Sequence, residues 1–387
     1  MIIKGAQIFT DGKFTLSDIR IGGSRISEIG PDLAKDTDDE VLDMQGYRII
    51  PGPIDIHTHG RIGYDFTTAS EDEIHRMLEN YLKAGITGVL ATVMTNDKKI
   101  LLVAFERLNR IIGSQRERRD DPEGKSILRE ASIEGINFEG VWLSPKKKGA
   151  HLEQFLELPS IQTCEEFERA SGGNIRLATI APELKGALEL ISQKKDKIHF
   201  SLGHSEADYE EAIKAVEAGA DHATHLFNAM PALGHRAPGL AGAVLDRELY
   251  TEIICDGYHV HPAMIRMVFR ANPDKTVLIS DSIAPAGAEN GVYVSGGQPV
   301  TACDGKILTS DGTIAGSGIS LFEGLKRCVR EFGINECTAI KAATLNAAES
   351  VGISETGDIR PGMFADMIVI DDEYNIISII KNGIRCC

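Results

Sequence analysis

The chain has 387 residues, 42% of them hydrophobic and 25% charged, with a formal net charge of −16. That composition suits a soluble globular protein with a large core, and the negative field argues against nucleic acid as a partner. No apolar run reaches the ~20 residues of a membrane span. The chain opens Met1-Ile2-Ile3-Lys4-Gly5, without a signal-peptide layout, so its seven cysteines are expected to be reduced cytoplasmic thiols rather than a disulfide framework.

Residues 2–50 read as short strands joined by tight turns: Ile2 to Phe9, Ser17 to Ile21 and Arg25 to Ile29, with turns at Asp11-Gly12 and Gly22-Gly23. The chain's other end has the same texture, with Ala365 to Asp371, then Ile376 to Ile380, before Asn382-Gly383. The expected arrangement is one small β-sandwich domain built from residues 1–50 plus 351–387, with a large domain, 51–350, inserted between them. Within the insert, short apolar runs recur at Ile54–His57, Gly88–Thr95, Ser132–Glu139, Ile175–Ala181, Ile198–His204, His222–His225, Thr251–Asp256 and Thr276–Asp281. Amphipathic segments separate most of them: Glu71–Ala84, Lys98–Ile112, Glu165–Ala170, Pro182–Lys194, Ala207–Ala218 and Pro262–Ala271. Eight alternating β and α units predict an α/β fold, a parallel (β/α)8 TIM-like barrel. The Gly-rich stretch from Gly291 to Gly318 reads as a β-hairpin excursion after strand eight. The charge-dense stretch Ser114–Arg129 reads as an insertion without an evident role, and the Cys386-Cys387 ending has no account.

The first run ends in Asp55-Ile56-His57-Thr58-His59. Side chains alternate along a strand, so Asp55, His57 and His59 share one face and the two imidazoles can point at one centre. His-x-His alone is a weak motif, and two solvated turn histidines are the plain alternative. The other strand ends decide the matter. Strand three ends at Glu139, strand five at His204, strand six at His225 and strand eight at Asp281, and barrel active sites lie at the C-terminal strand ends. Glutamate oxygen and imidazole nitrogen are ligands for a divalent metal such as zinc or iron. Such an ion lowers the pKa of bound water towards ~7 and polarises a carbonyl. Asp281 could take the water proton and pass it to a leaving group. Together these make a machine for hydrolysing an amide or a related bond.

These residues resemble the amidohydrolase superfamily and, within it, the N-acetylglucosamine-6-phosphate deacetylase family. The matching stretches are 51–60 (Pro-Gly-Pro-Ile-Asp-Ile-His-Thr-His-Gly), 138–151 (including Lys-Gly-Ala-His), 201–205, 223–230 (Ala-Thr-His-Leu-Phe-Asn-Ala-Met), 238–242, 256–260 and 280–287. The resemblance implies removal of an N-acetyl group from an amino-sugar phosphate by metal-activated hydroxide. It implies that Glu139, His204 and His225 hold the principal metal and that Asp281 is general base, then general acid. His151 would contact the sugar. Asn228 and Ala229 would offer N–H groups to the phosphate, with charge from Arg236 and His259. The arginine often comes from the neighbouring subunit in this family, which implies a homodimer. The sequence departs from the family at Val141, where proline is usual, and this could shift the loop carrying His151.

Members with His-x-His on strand one can hold two metals, so His57 and His59 are expected to bind a second ion, with one oxygen of Glu139 serving each. The alternatives are the same chemistry on N-acetylgalactosamine 6-phosphate, and a cyclic-amidase type of amidohydrolase. The latter usually carries a bridging lysine on strand four, which Ile175–Ala181 lacks. The lysines Lys146, Lys147 and Lys148 either draw in a phosphorylated sugar or are simply solvated. Asp55 either supports a ligand histidine or caps a turn. His199, His222, His235 and His261 are read as structural, His75 as surface, and Cys255 as a small buried residue.

Overall fold

The structure, a computed structural model, describes residues 1–35, 40–119 and 129–386. Eight parallel strands lie side by side in chain order: Ile54–Thr58, Gly88–Met94, Ser132–Glu139, Ile175–Ile180, His199–Leu202, His222–Ala223, Tyr250–Ile254 and Thr276–Ile279. They are barrel strands one to eight, and they fall on the eight apolar runs. Most of their residues are buried, as a sheet covered on both faces requires. The first and last strands meet across a seam. The N–H of Asp281 donates to the carbonyl of His57 at 2.9 Å, and that of His59 to the carbonyl of Ser282 at 2.8 Å. Asp55 lies in the same seam, its carboxylate accepting from the Ser280 N–H at 3.2 Å. Burial lifts the pKa of Asp55 to about 6.

Helices cover the outside, among them Glu71–Lys83, Lys98–Arg119, Ile161–Ala170, Ala187–Lys194, Tyr209–Ala218, Gly239–Asp246 and Pro262–Ala271. Two begin with reciprocal caps, Ser70 with Glu73 and Asp208 with Glu211, which satisfy orphan N–H groups of the first turn. Helix Gly239–Asp246, Gly-Leu-Ala-Gly-Ala-Val-Leu-Asp, has almost no polar face for periodicity to reveal, so the sequence pattern misses it. Helix Lys98–Arg119 runs past Ile112 because Gln115 and Arg119 are themselves buried. Gln115 donates to Glu130 at 2.8 Å and accepts from the Ile133 N–H at 2.7 Å. The expected insertion therefore begins inside a helix, and residues 120–128 of it lie outside the described residues, as does Cys387. No described helix is long and apolar enough to cross a membrane.

The chain ends form a second, mixed sheet. Its path runs Ile384–Arg385, Ile376–Lys381, Met367–Ile370, Arg48–Pro51, Ile2–Thr10, Lys13–Gly22, Arg25–Gly30, and Val41–Asp43 pairs beside Ile2–Thr10. The strand Ile2–Thr10 thus serves two partners on one edge, Val41–Asp43 at its start and Arg48–Pro51 further on. The change of partner comes where Gly5 takes φ 72°. The excursion after strand eight is a four-stranded antiparallel meander, Gly291–Ser295, Gln298–Cys303, Lys306–Thr309 and Ile314–Ser317. Asp304 and Gly305 turn its central hairpin at φ 51° and 79°, the two left-handed residues of a tight hairpin turn. The meander is tied to strand eight where Ser317 N–H donates to the Asp281 carbonyl at 2.8 Å.

Buried charges lock the terminal sheet to the barrel. Asp366 accepts from Lys381 Nζ at 2.7 Å and from Arg119 Nη2 at 3.2 Å, while Arg119 Nη1 reaches Glu134 at 2.6 Å. Lys381 and Asp366 are 0% and 1% exposed, so removing the carboxylate strands a buried ammonium and a buried guanidinium. Asp366→Ala is expected to destabilise the protein by about 3–5 kcal/mol, the cost of breaking one partner out of a buried ion pair. A chemical-denaturation midpoint equal to that of the unaltered protein would refute this.

Candidate metal centre and active site

The C-terminal strand ends deliver their polar side chains to one point, and the backbone there is bent to do so. His204, His225 and Asp281 take φ 46°, 28° and 49°, left-handed conformations at the ends of strands five, six and eight. Such residues cost about 1–3 kcal/mol each and persist where the surroundings over-determine them, often at functional sites. The turns swing the three side chains over the barrel mouth, next to Glu139 from strand three and His57 and His59 from strand one.

Glu139 is the hub. Its Oε1 lies 3.2 Å from His204 Nε2, 3.0 Å from His225 Nε2 and 3.4 Å from His57 Nε2. Its Oε2 lies 3.1 Å from His59 Nε2 and 3.2 Å from His151 Nε2. Asp281 Oδ1 is 3.4 Å from His59 Nε2 and 3.7 Å from His57 Nε2. All seven groups are buried. The two Glu139 oxygens do not divide between the histidine pairs in the expected way: His57 sits on the side of His204 and His225, and His59 shares the other oxygen with His151. His151, expected only at the sugar, is therefore part of the cluster, its Nδ1 held by Thr95 Oγ1 at 2.8 Å. Val141 is buried, and its loop still brings His151 to Glu139.

The donors fit a divalent cation. His204 Nε2 and His225 Nε2 stand 3.0 Å apart. With Glu139 Oε1 they form a triangle whose sides suit donors sharing one ion at ~2.0–2.2 Å. Glu139, His204 and His225 form one group able to hold a metal ion, and His57, His59 and Asp281 form another. His57 Nε2 is buried without a hydrogen-bond partner in the protein. Against burial, which opposes charge, the Glu252 and Glu139 carboxylates hold the His57 pKa well above the ordinary imidazole value. His59 is also buried, and its bonds to Asp281 and Glu139 raise it to about 9. Despite burial, the facing imidazoles hold Glu139 well below the carboxylate range and bring Asp281 down to about 2. Burial lowers His151 to about 4.

The cluster opens into a cavity of about 400 Å³, of a size that takes a small-molecule ligand. His59, Glu139, His151, His204, His225 and Asp281 line it, together with Lys146, Lys147, Asn228, Ala229, His259 and residues 313–316 of the meander. Ala229 takes φ 49° there. Asn228 commits its side-chain amide to the carbonyls of His225 at 3.1 Å and Leu226 at 3.4 Å. His259 is anchored through Nδ1 to Asp256 at 2.6 Å. Lys147 acts through its backbone, its carbonyl bonding His204 Nδ1 at 2.7 Å, and Lys146 pairs with Glu206 at the exposed rim. Arg236 is exposed and does not line the cavity of its own chain.

Two carboxylates that support the site were not picked out from the sequence. Glu252, inside strand seven, meets His57 Nδ1 at 2.7 Å, and Asp256 holds His259. An acid inside the run Thr251-Glu252-Ile253-Ile254 was the available signal. Asp55 supports the seam and touches no ligand-type ring nitrogen. His199 and His222 lie at the opposite mouth, both bonded through Nδ1 to Asp221 at 2.6 and 2.7 Å. Cys255 is buried, and burial pushes its thiol pKa well up.

Comparison with known proteins agrees with this geometry. The amidohydrolase family model matches residues 48–385. N-acetylglucosamine-6-phosphate deacetylase of Bacillus subtilis is 33% identical over 99% of this chain and 96% of its own. N-acetylgalactosamine-6-phosphate deacetylase of Escherichia coli O157:H7 is 30% identical over 89% of each chain. A solved variant of the Mycobacterium smegmatis N-acetyl-D-glucosamine-6-phosphate deacetylase, in complex with N-acetyl-D-glucosamine 6-phosphate, superposes with TM-score 0.90. It is 28% identical, and the match covers 100% of this chain and 99% of that one. With barrel, ligand cluster and full-length similarity in agreement, the chain belongs to the amidohydrolase family.

Proposed function

We propose that the chain is a hydrolase that removes the acetyl group of N-acetylglucosamine 6-phosphate, giving glucosamine 6-phosphate and acetate. The observation that carries this is the convergence of Glu139, His204, His225, His57, His59 and Asp281 at one point, all but His57 lining a cavity that His259 and Ala229 line too. The full-length relatives named for this reaction support it. Glu139, His204 and His225 would hold a divalent ion, zinc, iron or another, and His57 and His59 would give the chain capacity for a second. When bound, the ion supplies Lewis-acid polarisation of the acetamide carbonyl and lowers the pKa of water towards ~7.

The remaining work falls to the chain's own side chains. Asp281, ionised at neutral pH by its low pKa, accepts a proton from water as the water oxygen bonds to the carbonyl carbon. It delivers that proton to the amide nitrogen as the C–N bond breaks. His151 contacts the sugar. Asn228 forms the turn that places Ala229, whose N–H faces the phosphate with His259. Arg236 is assigned to the neighbouring site of a homodimer, since it does not line its own cavity. The reading includes a cytoplasmic location, where thiols stay reduced. A cyclic-amidase reading is disfavoured because strand four has no lysine. Its Arg176 bonds the carbonyls of Glu134 and Val351 instead. The Escherichia coli relative favours one alternative, N-acetylgalactosamine 6-phosphate, which differs in one hydroxyl configuration.

Acetate release from both N-acetylhexosamine 6-phosphates and their unphosphorylated sugars, with chelated and metal-reloaded protein, tests the whole reading. The expected result is metal-dependent release that needs the phosphate and favours the gluco epimer. No release from any member would overturn it. Asp281→Asn should lower turnover by ~10²–10⁴, the usual worth of a general acid–base group, while bound metal measured by elemental analysis persists. Near-normal turnover would remove Asp281 from that role. Arg236→Ala should weaken phosphorylated substrate far more than unphosphorylated sugar, because paired guanidinium donors match a phosphate. Equal losses on both would make Arg236 structural.

A further inference from the structure

Glu252 has no part in the chemistry above, yet it is a carboxylate 0% exposed in the middle of strand seven. A buried carboxylate is costly unless it is hydrogen-bonded or paired. Its Oε2 takes two bonds: from His57 Nδ1 at 2.7 Å and from the backbone N–H of His225 at 3.2 Å. Its Oε1 has no protein partner. One oxygen thus joins a strand-one histidine to the strand-six turn that carries His225.

The bond to His57 decides which ring nitrogen is free. With Glu252 on Nδ1, the proton sits there, and the Nε2 lone pair is left for a metal. That Nε2 is buried, unpartnered, 3.4 Å from Glu139 Oε1 and 3.7 Å from Asp281 Oδ1. The Nδ1 of His59 has no such support. Of the strand-one pair, only His57 has its tautomer and orientation held by the protein. His204 is held in the corresponding way through Nδ1, by the carbonyl of Lys147.

We propose that Glu252 is the positioning residue of the strand-one metal position: it orients His57 through Nδ1, so capacity for a second ion depends on a carboxylate that touches neither ion nor substrate. This rests on the reading that His57 and His59 hold an ion, and the test separates the two. Apo-protein is titrated with Zn²⁺ by calorimetry for the unaltered chain, Glu252→Gln, His57→Gln and the double variant. Glutamine is isosteric and keeps an acceptor but removes the charge. Second-ion affinity should fall ~10–100-fold in Glu252→Gln, the usual effect of losing a partner behind a metal ligand, with first-ion affinity retained. The double variant should bind no more weakly than His57→Gln, because Glu252 acts through His57. Should Glu252→Gln fail to fold, Glu252→Asp, which keeps charge but shortens the reach, should show the same selective loss. Two ions bound as in the unaltered chain, or equal loss of both, would overturn the role of Glu252 while leaving the strand-one site in place. A single ion per unaltered chain would instead remove the strand-one site and the inference with it.

Discussion

One buried carboxylate organises this molecule's chemistry. Glu139, 2% exposed, faces five imidazoles within 3.4 Å. In a low-dielectric interior a lone carboxylate would take a proton rather than stay charged. Here the rings hold it ionised, and Glu139, Asp281 and Glu252 in turn draw positive charge into the barrel mouth. The outcome is a dense set of N and O donors brought within about 3.0–3.7 Å of one another. Donors at that spacing can share a divalent cation, so the electrostatics and the donor spacing lead to the same chemistry.

The barrel makes that density possible. Parallel strands end together at one mouth, so residues far apart in sequence arrive side by side: His57 and Glu252 are 195 positions apart, and Nδ1 of one lies 2.7 Å from Oε2 of the other. The left-handed turns at His204, His225 and Asp281 carry the local cost of pointing three side chains inward. The meander closes over the cavity through residues 313–316. The terminal sheet stays out of the cavity and is held to the barrel by the Asp366, Lys381 and Arg119 charges.

Much of this was legible in the chain. Buried parallel strands are short apolar runs, and the polar residue that ends each run is visible because it breaks the pattern. That is how Glu139, His204, His225 and Asp281 stand out. Glu252 does not, because it lies within a run rather than at its end, and its partner is far off in sequence. Helix Gly239–Asp246 lacks the polar face that a periodicity argument needs. Alternation puts Asp55 on the face of His57, but its seam partner, the Ser280 N–H, depends on barrel closure that no local pattern encodes. The division of Glu139's oxygens is hidden from the sequence for a related reason. Chemistry gives two oxygens and two histidine pairs, but only the assembled barrel mouth shows that His57 faces the same oxygen as His204 and His225.

Closure of the barrel and assembly of the site are one event. The Asp281 N–H bonds the His57 carbonyl, and the His59 N–H bonds the carbonyl beside it, at Ser282. These bonds set the register of strand eight against strand one, and with it the 3.4 Å approach of Asp281 to His59. A one-residue slip would turn the ligand pair to the opposite face. It would also carry Asp281 out of reach of His59. Asp55 bridges the same seam with its side chain and supports that register from below the site. The approach of Asp281 to His59 is therefore set by main-chain pairing, while side-chain partners such as Glu252 fix how the individual rings turn.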